Sequence, residues 1–198
     1  MSAPAVLCLA SASPRRHELL TQIGVPHLIA PAVIDEAALA LEPPNDYVVR
    51  MARAKAAAVA GSARAQGLPV LAADTCVVLG ERMFGKPRDA TEALAMLAEL
   101  AAVTHRVLSA VALASAGALR VRLSESAVRF RPIALAERHA YCATAEPYDK
   151  AGGYAIQGRA AVFVEAIRGS YSGIVGLPLY ETAALLSEAG LSYWQGAP

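Results

Sequence analysis

The sequence predicts a mixed α/β chain. Three observations carry this. The run Ala5–Ala10 reads as a buried strand that leads directly into a helix start, Ser11-Ala12-Ser13-Pro14. The stretch Val70–Pro87 reads as two strands joined by a tight turn. Asp89–Ala102 places Leu94, Leu97 and Leu100 or Ala101 on one helical face.

The bulk composition sets limits. The chain has 198 residues, 56% hydrophobic and 18% charged, which argues against disorder. No composition break marks a linker, so residues 1–198 are expected to form a single domain. The net charge of +1 argues against a nucleic-acid polymer as partner, which needs a basic face. The three cysteines, Cys8, Cys76 and Cys142, are odd in number and lack C-x-x-C spacing, so neither a disulfide framework nor a zinc site is expected. His17, His27, His105 and His139 are scattered without metal-ligand spacing. The opening M-S-A-P-A-V-L-C-L-A has no basic region and too short an apolar run for a membrane span, so a soluble cytoplasmic protein is expected.

In chain order, Ser13 is a good N-cap and Pro14 a good first residue for a helix running to about Gln22. Arg15 and Arg16 follow in its first turn, where cations oppose the helix dipole. An anion bound at this helix start would resolve the conflict. Val25–Val33 is expected to be a strand ending at Ile34-Asp35-Glu36. Asn45 or Asp46 is expected to cap the next helix, with Val48, Met51, Ala52 and Val59 on one face. Lys55 shares that apolar face, either to snorkel outward or to point into a cleft.

Asp74 lies inside the first apolar run of the central hairpin. Asp is a poor strand residue, and a carboxylate there needs a partner, a metal or a wet cleft. Lys86 sits between Gly85 and Pro87, in backbone that suits neither helix nor central strand. Gly80–Lys86 fits the opening of a phosphate loop, but Pro87 stands where the Mg²⁺-binding hydroxyl belongs, so that motif is rejected.

Further on, His105–Ala114 and Leu119–Leu123 read as a hairpin, with Val128–Arg131 alternating likewise. Leu135–Ala143 reads as a short helix and Ala160–Ile167 as a strand. Glu146–Gly158 carries too many hydrogen-bonding groups for a plain connector and is expected to contact a ligand. Gly169–Pro178 is a second glycine-rich stretch, and Pro178 starts a last helix ending near Gly190.

The ordered motifs S-A-S-P-R-R, D-E at 35–36, A-R-A-K-A at 52–56, A-D-T-C-V, G-K-P, E-P-Y-D-K-A-G-G-Y-A-I-Q-G and G-S-Y-S-G-I-V-G-L-P span nearly the whole chain. Together they resemble the Maf family of nucleoside triphosphate pyrophosphatases. That resemblance implies a mixed sheet flanked by helices, with two lobes around a central cleft, distantly like inosine triphosphate pyrophosphatases. It implies cleavage of a nucleoside triphosphate to the monophosphate and pyrophosphate with a divalent metal, Mg²⁺ or Mn²⁺. It also implies a homodimer and a link to septum formation and division arrest. The D-T pair and the K-A-G-G-Y-A-I-Q-G run are similar to the branch acting on dTTP and UTP.

By resemblance, Asp74 is the proton acceptor, and Arg15, Thr75 and Gln157 occupy the positions tied to substrate choice. The residue chemistry suits this assignment. Asp74 and Glu36 could hold a metal that prefers oxygen ligands. Ser13, Arg16, Lys55 and Lys86 would hold phosphate oxygens, Arg in bidentate fashion. Gln157 offers both a donor and an acceptor to a pyrimidine edge. The chain departs from the family pattern in three places. No glycine precedes His105, Ser109 replaces a usual Thr, and Gly173 stands where Asn is common. Two competing readings stand beside this one: a non-catalytic nucleotide-binding regulator, and the same chemistry on 7-methyl-GTP or ITP.

Overall fold

The fold is a seven-stranded mixed sheet with helices packed on it, and its computed structural model describes residues 4–194. The first unit is β1 (Leu7–Leu9), α1 (Pro14–Gln22) and β2 (His27–Ile29), with β1 and β2 parallel. β2 is much shorter than the expected strand over Val25–Val33. Pro26 and Pro31, which have no N–H to give a ladder, bracket it.

The two edges of β3 (Val70–Leu79) are paired differently. One edge of β3 is covered along its length by the antiparallel β5 (Thr104–Ser115), from Val70↔Ala114 to Val78↔Arg106. The other edge is shared. β1 takes Val70 and Leu71 in parallel, and β4 (Arg82–Phe84) takes Val77 to Leu79 antiparallel. Between them, Ala72–Cys76 has no strand partner on that edge.

The rest of the sheet is antiparallel. β6 (Ala118–Phe130) pairs with β5 over its whole length, and β7 (Val164–Arg168) forms the far edge. β6 joins two alternating runs that the sequence reading kept apart, because Ser124-Glu125-Ser126 between them looks like a break. In the fold Ser124 and Ser126 are buried and keep the alternation. The expected strand over Ala160–Ile167 begins late. Arg159–Phe163 forms a 3₁₀ turn in which Ala160 and Phe163 both enter the core, and the Glu146 carboxylate accepts from the Arg159 and Ala160 N–H groups.

Three apolar clusters hold the elements. α2 (Pro44–Val59) lays Val48, Ala52, Ala56 and Val59 on the face of β3 that carries Val70, Ala72, Cys76 and Val78. Pro43 rather than Asn45 or Asp46 is its N-cap, with Pro44 at the first helical position. On the opposite face, Leu71 and Ala73 pack against Leu19 and Leu20 of α1 and Leu185 and Leu186 of α6 (Leu179–Glu188), which follows the short α5 (Tyr171–Val175). A third cluster joins α3 (Ala90–Leu100), α4 (Leu135–Cys142) and the ends of β5 and β6 around Phe130, Phe163 and Tyr154. Asp89 caps α3 by accepting from the Glu92 N–H.

The missing glycine before His105 has a structural counterpart. Ala102, in the α3–β5 turn, adopts φ 60°. That left-handed region crowds an L side chain, and only glycine enters it freely. The position is exposed, so no packing depends on the methyl group. Ala102→Gly is therefore expected to stabilise the fold by about 0.5–1 kcal/mol, after glycine's larger unfolded-state entropy is subtracted. Urea unfolding of the two proteins checks this; a lower midpoint for Ala102→Gly would show that the turn is unstrained.

Candidate functional site

The unpaired interval of β3 opens into a pocket of about 760 Å³. Strand alternation puts neighbours on opposite faces of the sheet. Asp74 therefore shares a face with Cys76 and α2, and Thr75 points to the face covered by α1 and the segment before α6. The pocket wraps round the open edge and reaches both. All nine residues singled out in the sequence line it: Ser13, Arg15, Arg16, Glu36, Lys55, Asp74, Thr75, Lys86 and Gln157.

On the α2 face, Lys55 does not snorkel. It is 8% exposed and Asp74 is 6% exposed. Lys55 Nζ donates to Asp74 Oδ1 at 2.6 Å and lies 2.9 Å from Glu36 Oε1. Glu36 itself is largely exposed, and the Tyr47 hydroxyl fixes its segment by donating to the Glu36 carbonyl at 3.0 Å. Burial pushes the Asp74 carboxyl above its ordinary value, while the Lys55 and Arg16 cations pull it back. Burial also pushes the neighbouring Cys76 thiol up to about 12, so this cysteine stays a neutral lining residue.

On the other face, α1 begins at the pocket wall. Ser13 occupies its N-cap position in extended conformation but makes no capping hydrogen bond, so its hydroxyl and the first-turn N–H groups remain available. Arg16 is held by protein acceptors on all three nitrogens. Its Nε donates to the Gly176 carbonyl at 2.8 Å, Nη1 to Ser11 Oγ at 3.2 Å and Nη2 to Thr75 Oγ1 at 3.4 Å. Gly176 adopts φ 133°, backbone that other residues rarely take; a Cβ there would make only ordinary contact with Arg16 and Thr75. Arg15 instead spans the mouth to Asp149 at 3.1 Å.

The loop after α4 supplies the remaining wall. Its Gly152 N–H donates to the Gly85 carbonyl at 3.0 Å, which ties the Lys86 turn to this loop. Gly152 has φ 70°, and a Cβ there would meet Val77 Cγ2 at 3.0 Å, so no other residue fits easily. Tyr154 lines the pocket and its hydroxyl bonds the buried His105 Nε2 at 2.8 Å. Burial lowers His105 to about 4, so the ring is neutral. Among the described residues Lys86 and Gln157 have no side-chain partner, and both face the pocket.

Sequence reasoning did not single out Ser11 or Asp149 as site residues, and marked Ser109 only as a replacement for a usual Thr. Ser109 is otherwise a small residue in a buried strand, and only the fold brings it against Thr75. Asp149 was visible as part of a polar loop, but its partner Arg15 is 134 residues away.

The Maf-like protein family matches residues 6–189. The chain belongs to this family. A relative from Cupriavidus metallidurans named dTTP/UTP pyrophosphatase is 53% identical, covering 95% of this chain and 98% of its own length. Relatives of the same name from Alcanivorax borkumensis and Burkholderia pseudomallei are 51% and 53% identical, over 96% and 93% of this chain. No helix among the described residues is long and apolar enough to cross a membrane.

As a Maf-like protein this chain presents a pocket with five cations (Arg15, Arg16, Lys55, Lys86, Lys150) and three carboxylates (Glu36, Asp74, Asp149) in its wall. Such a wall suits a polyanion that brings its own charge into contact with the cations. The electrostatics make one prediction independent of any ligand. The Asp74 carboxyl, followed by carbon-13 NMR, titrates above the range of a free aspartate. In Lys55→Met, which removes a cation holding it down, it titrates higher still. An Asp74 that titrates as a free aspartate in both proteins would contradict the burial.

Proposed function

We propose that this chain is a nucleoside triphosphate pyrophosphatase acting on dTTP and UTP, with Asp74 as the base. The observation that carries the reading is the buried Lys55–Asp74 pair at the open edge of β3, inside a predominantly cationic pocket. The names of the similar proteins supply the substrate class.

The reaction adds water across the bond between the α- and β-phosphates and yields a monophosphate and pyrophosphate. The water must be oriented and lose a proton as its oxygen bonds to phosphorus. The phosphates must be neutralised as charge builds on the leaving group. Asp74 is suited to take the proton, because burial raises its basicity above that of a free aspartate. Lys55 holds one carboxylate oxygen and leaves the other to water. Lys86, the α1 start at Ser13, and Arg15 once drawn from Asp149 meet the phosphates. Arg16 can reach an anion through N–H groups its protein acceptors leave over, while it also fixes Thr75 and Gly176. Gln157 meets the base with an amide that has no other partner among the described residues.

The donor set suits a divalent cation. Asp74 and Glu36 stand on either side of the Lys55 ammonium, and each has a second oxygen that Lys55 does not hold. Among the described residues no group of three or more His, Cys, Asp or Glu gathers, so Mg²⁺ or Mn²⁺ would be held by these two carboxylates with waters and phosphate oxygens. Bound there, it would neutralise phosphate charge and lower the pKa of water.

Pyrophosphate release with Mg²⁺ or Mn²⁺ across dTTP, UTP, CTP, ITP, GTP and 7-methyl-GTP tests the reading. Highest kcat/KM for dTTP and UTP is expected. Activity confined to another base would overturn the substrate assignment, and no release by protein that still binds nucleotide would overturn the enzyme. Asp74→Asn is expected to lower kcat by at least roughly a hundredfold while nucleotide binding stays within a few fold. Undiminished turnover in that variant would remove Asp74 as base.

A further inference from the structure

Ser109 is 1% exposed, lies on β5 opposite Thr75 in register, and takes no part in the chemistry above. Its hydroxyl has one proton to give. The Gly173 carbonyl, at 2.6 Å, can only accept, so it takes that proton. Ser109 Oγ then offers only lone pairs to Thr75 Oγ1, 2.8 Å away. Thr75 must therefore donate to Ser109. The one alternative acceptor for its proton, the Gly176 carbonyl, stands at 3.5 Å and already accepts from Arg16 Nε. Arg16 Nη2, at 3.4 Å, can only donate to Thr75. Every hydrogen in the chain Arg16–Thr75–Ser109–Gly173 thus has an assigned direction.

We propose that Ser109 is a positioning residue: it fixes the Thr75 hydroxyl as an acceptor toward the pocket, and so selects a base that presents a ring N–H. The inference rests on the nucleotide reading above. An acceptor-only hydroxyl cannot bond a phosphate oxygen, which also only accepts. Thr75 shares its side of the pocket with Arg16, which can meet an anion there, so the remaining lone pair of Thr75 is left for a donor elsewhere on the nucleotide. Uracil and thymine carry a proton on N3; cytosine presents a lone pair there. A site built around a buried acceptor rejects the ligand that leaves it unpaired. Ser109 never touches the ligand; it removes the freedom by which Thr75 could turn its proton to suit cytosine.

The test is equilibrium binding of UMP and CMP by calorimetry, with kcat/KM for UTP and CTP alongside. The wild type is expected to prefer UMP. Ser109→Ala frees the Thr75 proton, and the UMP-over-CMP ratio is expected to fall by roughly tenfold. Ser109→Thr, which keeps the hydroxyl, restores the ratio. In a Thr75→Val background Ser109→Ala is expected to change the ratio no further, because both act through one hydroxyl. If Ser109→Ala does not fold, Ser109→Cys, nearly equal in size with a weakly accepting sulfur, gives the same reading. An unchanged ratio in the Ser109 variant, a full further loss in the Thr75→Val background, or a wild type indifferent to UMP and CMP overturns the proposal. That last result is also expected if Thr75 meets a sugar hydroxyl. A wild type that prefers UMP through Ser109 but releases no pyrophosphate would sink the hydrolase reading and leave this one standing.

Discussion

A carboxylate in the middle of a buried strand needs a cation within reach. Asp74 is such a group, and leaving it unpaired at that depth would cost several kcal/mol. α2 meets the demand by placing Lys55 one turn from Ala52 and Val59, on the face that packs against β3. The same helix face therefore does two jobs. Its alanines and valines close the core, and its one lysine reaches past them to the strand edge. A buried ion pair of this kind is weak evidence for stability, since a well-packed apolar pair often does as well. Its retention makes sense where the carboxylate is needed for chemistry.

The pairing of β3 turns that carboxylate into a site. A fully paired strand would seal both edges of Asp74 with backbone. Here β1 covers the start of one edge and β4 its end, and the five residues between are left open. The pocket forms in this gap. Because alternate side chains face opposite ways, two consecutive residues serve its two walls: Asp74 beside Lys55 and Glu36, Thr75 beside Arg16 and Ser109. The glycines at 152 and 176 let the flanking loops close on the gap, Gly152 where a side chain would strike Val77 and Gly176 through a φ of 133° that other residues rarely adopt.

Arg16 shows how a residue can be read correctly by position and incompletely by role. In sequence it is a cation in a helix first turn, and an anion is the natural partner. In the fold its guanidinium ties α1 to the Gly176 turn and to β3, across 160 and 59 residues. The dipole conflict is thus partly answered by carbonyl and hydroxyl oxygens of the protein. The neighbouring Arg15, held only at the mouth by Asp149, is the one left free to change partner.

The sequence alone determined much. Periodicity placed the long elements, because α2, α3 and β3 owe their form to apolar spacing that local physics reads. The oddities also showed: an aspartate in a strand, arginines in a helix start, a lysine between glycine and proline. Each breaks a local rule, and all line one pocket. The ends of β2 and β7 were less legible, since bracketing prolines and a distant glutamate set them. What only the tertiary structure decided is direction and partnership. Lys55 could have snorkelled; the packing of α2 on β3 aims it inward. Ser109 is marked in the sequence only by standing where Thr is usual, and its hydroxyl reaches Thr75 because β5 pairs with β3 in the register that sets the two together. Hydrogen-bond polarity is a property of the assembled set, for a hydroxyl gives its proton according to which neighbours can only accept.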